Sequence, residues 1–275
     1  VTGAAATLLA AALTLPMASM RDGAPEPRTR EGVGLEEHLG ERIPADLVFT
    51  DSAGRAVRLG DVLGRGRPVV LTLVYYECPM LCGLLLGGTT KALRESGLEL
   101  GRDYDLLTVS IDPAETPELA AAKQGRFLQA IGRPGAAAHW PFLVGGAEAV
   151  DRLARSVGFQ YRYDEATKEY AHVAALVVLT PEGEISRYLY GVEFPPRDVR
   201  LAIVEASEGR VGTAFDRVLL TCYRYDPASR RYALFISGFL RGGGLLVFLG
   251  LATVLAVLWR RERSRGRSEE RRVGK

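Results

Sequence analysis

The chain has 275 residues, 47% of them hydrophobic and 25% charged, which fits one medium-sized globular domain with membrane-associated additions. Its net charge is only +2, and the basic excess lies in the last 16 residues, so nothing indicates a nucleic-acid-binding surface. Three cysteines are too few for a disulfide-stabilised scaffold.

The N-terminal segment is apolar and rich in small residues. Residues 1–20 resemble the hydrophobic part and cleavage zone of a secretory signal, although the usual basic start is missing. An uncleaved N-terminal membrane helix is the alternative, since the run is near the lower length limit for a span. Residues 21–34, rich in proline, glycine and charge, are predicted to be a linker.

The next elements lead to two closely spaced cysteines. Residues 47–49 and 56–59 flank a turn sequence and are predicted to form a hairpin. The β-branched run Val69 to Tyr76 is predicted to be a buried central strand. Cys78 and Cys82 follow it directly, and Leu84 to Ser96 is predicted to be a helix.

The later elements alternate strands and helices. Strands are predicted at 104–111 and 140–144, and helices at 117–131, with Thr116 as N-cap, and at 147–157. A β-excursion at 159–170 is followed by an antiparallel hairpin of strands 173–180 and 185–190 and by a closing helix at 197–207. This order predicts an α/β thioredoxin-like fold, with a central mixed sheet flanked by helices, over residues 35–208.

The C-terminal quarter has its own organisation. Residues 209–241 are predicted to be a juxtamembrane segment, with a hairpin of strands 218–225 and 232–236. Residues 242–259 carry no charge and are long enough to span a bilayer as a transmembrane helix; a buried soluble helix is the alternative. The Arg-rich tail, residues 260–275, is expected to be cytoplasmic by the positive-inside rule. The soluble domain is therefore expected on the other side of the inner membrane, facing the periplasm or cell exterior.

The cysteine pair is the main candidate for chemistry. A helix N-terminus favours thiolate over thiol, so cysteines in a strand-to-helix turn are expected to be reactive. Cys78 and Cys82 can cycle between dithiol and disulfide as a redox-active pair, or bind a soft metal ion. The alternatives without a chemical role are a structural disulfide or two buried free cysteines.

Three motifs in a fixed order resemble the Sco/SenC family. They are V-Y-Y-E-C-P-M-L-C around the cysteines, V-S-I-D-P-A-E-T-P at 109–117 and A-H-V at 171–173. Members of this family are thioredoxin-fold, membrane-tethered copper proteins that help to assemble cytochrome c oxidase. The resemblance covers roughly residues 33–208 and implies that Cys78, Cys82 and His172 bind copper.

The remaining residues around this site support the resemblance to different degrees. In a thioredoxin fold the loop carrying His172 packs over the dicysteine turn, and two sulfurs with one nitrogen suit Cu(I) and tolerate Cu(II). Asp112 is either a residue that orients the metal ligands without binding the metal itself, or a turn-forming aspartate before proline. His38 is expected to be solvated, and His139 to be a surface or strand-entry residue. Cys222 is a resolving thiol, an intermolecular partner or a buried juxtamembrane residue.

Two functions fit this sequence best. The first is a membrane-anchored copper metallochaperone for the copper-site subunit of cytochrome c oxidase, supplied by a thiol reductant or another copper chaperone. The second is a thiol–disulfide reductase acting on extracytoplasmic cysteines. A peroxidase-like antioxidant and a purely structural tether have less support. Metal binding is expected to need His172, whereas simple dithiol exchange is not.

Overall fold

The structure is a computed structural model that describes residues 32–208, two short strands between residues 223 and 234, and four helical residues between 250 and 255. No helix in these described parts is both long enough and apolar enough to cross a bilayer. Several predicted features lie outside the described residues. They are the signal-like segment, most of the linker, Cys222, most of the 242–259 span and the basic tail.

The main body alternates strands and helices along the chain. The strands are β1 Gly34–Leu35, β2 Val48–Asp51, β3 Ala56–Arg58, β4 Val69–Val74, β5 Asp105–Ser110, β6 Phe142–Val144, β7 Phe159–Gln160, β8 Arg162–Asp164, β9 Glu169–Ala171, β10 Ala175–Leu179 and β11 Ile185–Tyr190. The helices are α1 Leu59–Leu63, α2 Leu81–Glu95, α3 Pro117–Ile131, α4 Ala147–Ser156 and α5 Pro196–Ala206, with a 3-10 turn at Ala136–His139.

Seven strands form one mixed sheet in the order β11-β10-β4-β5-β6-β2-β3. Strands β4, β5 and β6 are parallel, whereas the pairings of β10 with β4 and β11, and of β2 with β6 and β3, are antiparallel. Helix α2 packs against α3 and α5, and α5 packs against β10 and β11. This mixed sheet with flanking helices is the predicted arrangement.

Strand β4 lies inside the sheet, and all six of its residues are buried, as its continuous β-branched and leucine run predicts. Two boundaries differ from the sequence prediction. The strand ends at Val74 instead of Tyr76, and α2 begins at Leu81 instead of Leu84. Pro79 lacks an N–H group and sits just before the helix, so the helix starts directly after it and takes in Cys82.

Most of the other predicted elements are confirmed within two or three residues. Helix α3 has the predicted bounds, and the Thr116 hydroxyl accepts a hydrogen bond from the Leu119 N–H at its N-terminus. Gly34, which we predict to end the linker, already pairs with Gln160 in a strand.

The hairpin predicted beyond the domain is also present. Strands β12 Tyr223–Asp226 and β13 Arg231–Leu234 pair antiparallel, with Tyr225 opposite Tyr232. The predicted strands were longer at their outer ends, and those residues lie outside the described ranges.

Candidate metal centre

The two cysteines have different environments because one precedes α2 and the other lies inside its first turn. Cys78 is partly exposed and Cys82 is fully buried, and both thiols are free. The backbone N–H of Cys82 donates a hydrogen bond to the Cys78 sulfur at 3.3 Å. The helix N-terminus therefore stabilises negative charge on Cys78 in particular.

His172 faces this pair, as the sequence predicts. Its side chain is buried, and Nε2 lies 3.4 Å from the Cys82 sulfur. Its Nδ1 lies 2.8 Å from the carbonyl oxygen of Val173. Because a carbonyl oxygen only accepts, Nδ1 carries the proton, and in the neutral ring the Nε2 lone pair points at the sulfur. This tautomer is the one a metal-binding Nε2 needs.

The two thiols differ in acidity as well as in exposure. Burial alone raises the pKa of Cys78, but the contact with His172 and hydrogen bonds from the N–H groups of Cys82 and Met80 more than offset it, bringing the pKa to about 6. Burial raises the pKa of Cys82 well above that of an ordinary cysteine, and the nearby Cys78 thiolate adds to the effect. At neutral pH the pair therefore holds one thiolate and one thiol.

Aromatic rings enclose the imidazole. Tyr75 meets His172 edge to face with ring centroids 5.9 Å apart, and Phe159 lies 5.8 Å from it on another side. A cleft of about 330 Å³ opens beside Cys78, with Tyr75, Pro79 and Asp112 in its lining. The site is thus closed around His172 and open at Cys78.

Asp112 lies two residues beyond the end of β5, and it forms a turn. Its Oδ1 accepts hydrogen bonds from the Ala114 N–H at 2.8 Å and from the Tyr170 hydroxyl at 3.3 Å. Tyr170 packs on Tyr75, which in turn packs on His172. Asp112 therefore shapes its own turn and binds Tyr170, and its role in orienting the metal site stays a prediction.

The donor set fits copper. Two cysteine sulfurs and one imidazole nitrogen are soft to intermediate ligands of the kind that copper prefers. In the part of the chain that the structure describes, no three His, Cys, Asp or Glu side chains are already arranged as a complete metal-binding cluster.

Residues 36–206 match the family model of SCO1/SenC. The chain belongs to the SCO1/SenC family. The match covers well over half of the chain and contains both cysteines, His172 and Asp112. A search of the curated proteins finds no match.

Three solved structures are similar to this chain to different degrees. A protein from Aquifex aeolicus VF5 is 25% identical, covers 61% of this chain and 94% of its own length, and has a TM-score of 0.55. ScoI of Arabidopsis thaliana, solved with copper bound, is 19% identical over 62% of this chain and 98% of its own, with a TM-score of 0.49. BsSco, a member of the Sco family of cytochrome c oxidase assembly proteins, is 19% identical over 63% and 97%, with a TM-score of 0.49.

Glu115, the glutamate of the V-S-I-D-P-A-E-T-P motif, belongs to the architecture of this SCO1/SenC site, a role that the motif alone did not indicate. It is buried, and its carboxylate accepts hydrogen bonds from the Glu77 N–H at 2.7 Å and from the Ser110 hydroxyl. Lys123 donates to the carbonyl oxygen of Tyr76 at 2.7 Å. These contacts fix the turn that carries Cys78. A glutamate just before a helix and a lysine within it are too common in sequences to signal this role.

The other two histidines have partners elsewhere in the fold. His38 Nδ1 lies 3.2 Å from the Ser156 carbonyl oxygen, and His139 Nδ1 lies 2.8 Å from Oδ1 of the buried Asp105. Asp105 is the first residue of β5 and lies at the opposite end of that strand from Asp112. Both histidines are partly buried by these contacts. The prediction of a solvated His38 was wrong, whereas His139 lies in the turn that enters β6, which is one of the two places predicted for it.

Proposed function

We propose that this chain is a copper metallochaperone that binds copper through Cys78, Cys82 and His172 and assists assembly of the copper site of cytochrome c oxidase. The observation that carries the proposal is the convergence of His172 Nε2 on the Cys82 sulfur, with Cys78 one hydrogen bond away. Family membership supports it, because relatives include a copper-bound ScoI and an oxidase assembly protein.

The difference between the two cysteines suits a protein that must release its cargo. Cys82 and His172 are buried and held in place, whereas Cys78 is partly exposed beside an open cleft. An incoming ligand from a partner therefore meets Cys78 first. Transfer by stepwise ligand exchange would replace the Cys78 sulfur before the two buried donors.

Copper stoichiometry tests this function. We expect the reduced chain to retain one copper ion, and Cys78→Ser and His172→Ala to weaken its affinity by at least tenfold. His38→Ala is the matched control, because it removes an imidazole that is bonded elsewhere. If the wild-type chain retains no copper after desalting, the metallochaperone function is wrong.

A thiol–disulfide reductase is the second candidate, and the thiolate at Cys78 favours it. Cys78 attacks a partner disulfide and forms a mixed disulfide, and Cys82 then attacks the Cys78 sulfur. This releases the reduced partner and leaves a 78–82 disulfide. His172 Nε2 is close enough to accept the Cys82 proton in the second step. Dithiol exchange is therefore expected to depend on His172 too, so copper retention separates the two functions better than sensitivity to His172→Ala.

We further propose that residues 242–259 anchor the chain in the inner membrane, with the basic tail in the cytoplasm and the metal centre outside. The uncharged run and the arginines that follow it support this orientation. Removing residues 242–275 should release the protein from washed membranes into the soluble fraction. Continued membrane association of that truncated chain would contradict a C-terminal anchor.

A further inference from the structure

Three loops meet at the end of the sheet that carries the metal centre. Strands β10, β4 and β5 are neighbours in that order, with β5 parallel and β10 antiparallel to β4. The turn after β4 carries Cys78, the turn after β5 carries Asp112, and the loop before β10 carries His172. All three therefore lie at the same end of the sheet, and a contact between the Asp112 turn and the His172 loop has to span the strand between them.

Glu115 holds the cysteine turn from one side. Its Oε1 accepts a hydrogen bond from the Glu77 N–H at 2.7 Å, and Lys123 donates to the carbonyl oxygen of Tyr76, also at 2.7 Å. This N–H and this carbonyl belong to one peptide unit, the one directly before the residue that precedes Cys78. Both polar ends of that peptide are therefore bound by side chains, and it cannot rotate without breaking these bonds.

The other oxygen of Glu115 continues the network into the next two loops. The Ser110 hydroxyl donates to Glu115 Oε2 and accepts the Asp112 N–H at 3.0 Å. Asp112 Oδ1 in turn accepts the Tyr170 hydroxyl at 3.3 Å. Tyr170 is in β9, two residues before His172. We call these four side chains, Glu115, Ser110, Asp112 and Tyr170, the loop bridge.

The centre of the loop bridge is buried, and its polar groups are matched to one another. Ser110 is fully buried and Glu115 is only 7% exposed. The single hydroxyl proton of Ser110 goes to Glu115, and one of its lone pairs takes the Asp112 N–H. Any other arrangement of these loops would leave a buried polar group without a partner, so the network favours one arrangement.

The hydrogen bonds of the loop bridge use the neighbours of the metal ligands and not the sulfur and nitrogen atoms themselves. Glu77 directly precedes Cys78, and Tyr170 lies close to His172 in the chain. A protein that gives up its metal ion is empty for part of its working cycle, and the protein alone must then keep the ligands in place. The loop bridge can do so because it is complete in the metal-free chain.

We propose that Glu115 is a positioning residue of the metal centre, which acts through the loop bridge to hold the Cys78 turn and the His172 loop in a fixed relation. The purpose of this arrangement rests on the proposed copper function, whereas the loop bridge itself is a property of the metal-free chain. The proposal also gives Asp112 its place, as the member that connects the turn after β5 to the loop of the histidine.

Hydrogen exchange of the full, reduced, metal-free chain tests the loop bridge. The measured quantities are the exchange rates of the amide protons in peptides that cover residues 75–80 and 169–174. We expect Glu115→Ala to raise the rates in both peptides by about tenfold, since it removes the acceptor of the Glu77 N–H and the link to the Asp112 turn. A rise confined to residues 75–80 would show that Glu115 supports only its own turn, and would overturn the proposal.

Two variants separate positioning from a general loss of stability. Glu115→Gln should exchange like the wild type, because its amide oxygen can accept the Glu77 N–H while its NH2 group donates to the Ser110 hydroxyl. Asp51→Ala is the matched control, since Asp51 is also a buried carboxylate that accepts backbone N–H groups, in the turn between β2 and β3. Faster exchange of residues 169–174 in Asp51→Ala as well would mean that lower stability explains the effect, and would overturn the proposal.

Copper affinity then tests whether the loop bridge acts as one unit. Glu115→Ala should lower the affinity of the reduced chain for Cu(I) by about tenfold, and Tyr170→Phe, which removes the hydroxyl at the other end, by less. The double variant should bind as tightly as Glu115→Ala alone, whereas effects that multiply would mean independent roles and would overturn the proposal. A wild-type chain that retains no copper would refute the metallochaperone function, and the exchange experiment would still decide whether the loop bridge joins the two loops.

Discussion

Removing the imidazole of His172 should change the acidity of Cys78 more than any other single substitution around the pair. Burial opposes the thiolate at Cys78, and the contact with His172 is the largest of the effects that favour it. In His172→Ala the opposing effect of burial remains while the main favourable contact is lost. The pKa of Cys78 should therefore rise from about 6 toward that of an ordinary cysteine, by about one unit or more.

The lowered pKa of Cys78 in the wild type changes its alkylation rate and the midpoint of its pH profile by very different amounts. With a pKa of about 6, roughly nine-tenths of Cys78 is thiolate at pH 7, against a few per cent for an ordinary cysteine. The gain in thiolate is about thirtyfold, but nucleophilicity falls with pKa with a Brønsted slope of about 0.4–0.5, which removes about tenfold. The net gain in alkylation rate at pH 7 is only about twofold to threefold. The midpoint of the pH profile, and not the rate at one pH, is the informative quantity.

The assay is iodoacetamide alkylation of the reduced chain between pH 4 and 10, with Cys78 followed by peptide mass spectrometry. Wild type should show a midpoint near pH 6, and His172→Ala a midpoint at least one unit higher. His38→Ala should behave as wild type. A wild-type midpoint above pH 8, or an unchanged midpoint in His172→Ala, would refute the role of His172 at the Cys78 sulfur.

Three further predictions concern stability, each checked by urea unfolding of the reduced chain. Glu115→Ala should cost about 1–3 kcal/mol, because it leaves the Glu77 N–H without its acceptor, whereas Glu115→Gln should cost less. Burial raises the pKa of Glu115, so the free energy of unfolding of the wild type should fall relative to that of Glu115→Gln as the pH rises through that pKa. A difference in unfolding free energy that is the same at every pH would contradict this. Tyr104→Phe should be neutral or stabilising by up to about 1 kcal/mol, since the Tyr104 hydroxyl has no partner within the described residues. Gly158→Ala should cost about 2–4 kcal/mol, because its φ is +64° and the new Cβ would lie 1.9 Å from a backbone oxygen. Gly132→Ala should cost about 1 kcal/mol, because its φ is +62° but the new Cβ would lie at an ordinary contact distance of 3.8 Å from the nearest backbone oxygen.

The element order and the ligand residues are local properties, which is why the sequence predicts them well. The buried run before Cys78 and the Thr116–Pro117 start of α3 depend on residues a few positions apart, and both are confirmed. The start of α2 was predicted three residues late. Gly83 lies inside the first turn of α2, and a glycine in a helix that packs on its neighbours is tolerated.

The acidity of each thiol could not be predicted from the motif. Both cysteines lie near one helix N-terminus, which predicts two lowered pKa values, whereas the structure lowers that of Cys78 and raises that of Cys82. The difference arises because Cys82 points into the packed interior, and burial there outweighs the helix dipole. Burial depends on which elements pack over a side chain, and those elements are distant in sequence.

By itself, the sequence determined the fold class, the family, the cysteine pair and the histidine expected to complete the metal site. Each of these depends on short motifs or on hydrophobic periodicity. Only the tertiary structure decided that His172 Nε2 faces the Cys82 sulfur across 90 residues of chain, and that Glu115 fixes the cysteine turn. The physical reason is the same in each case: these contacts join separate strands and loops, and their geometry exists only once the sheet has assembled.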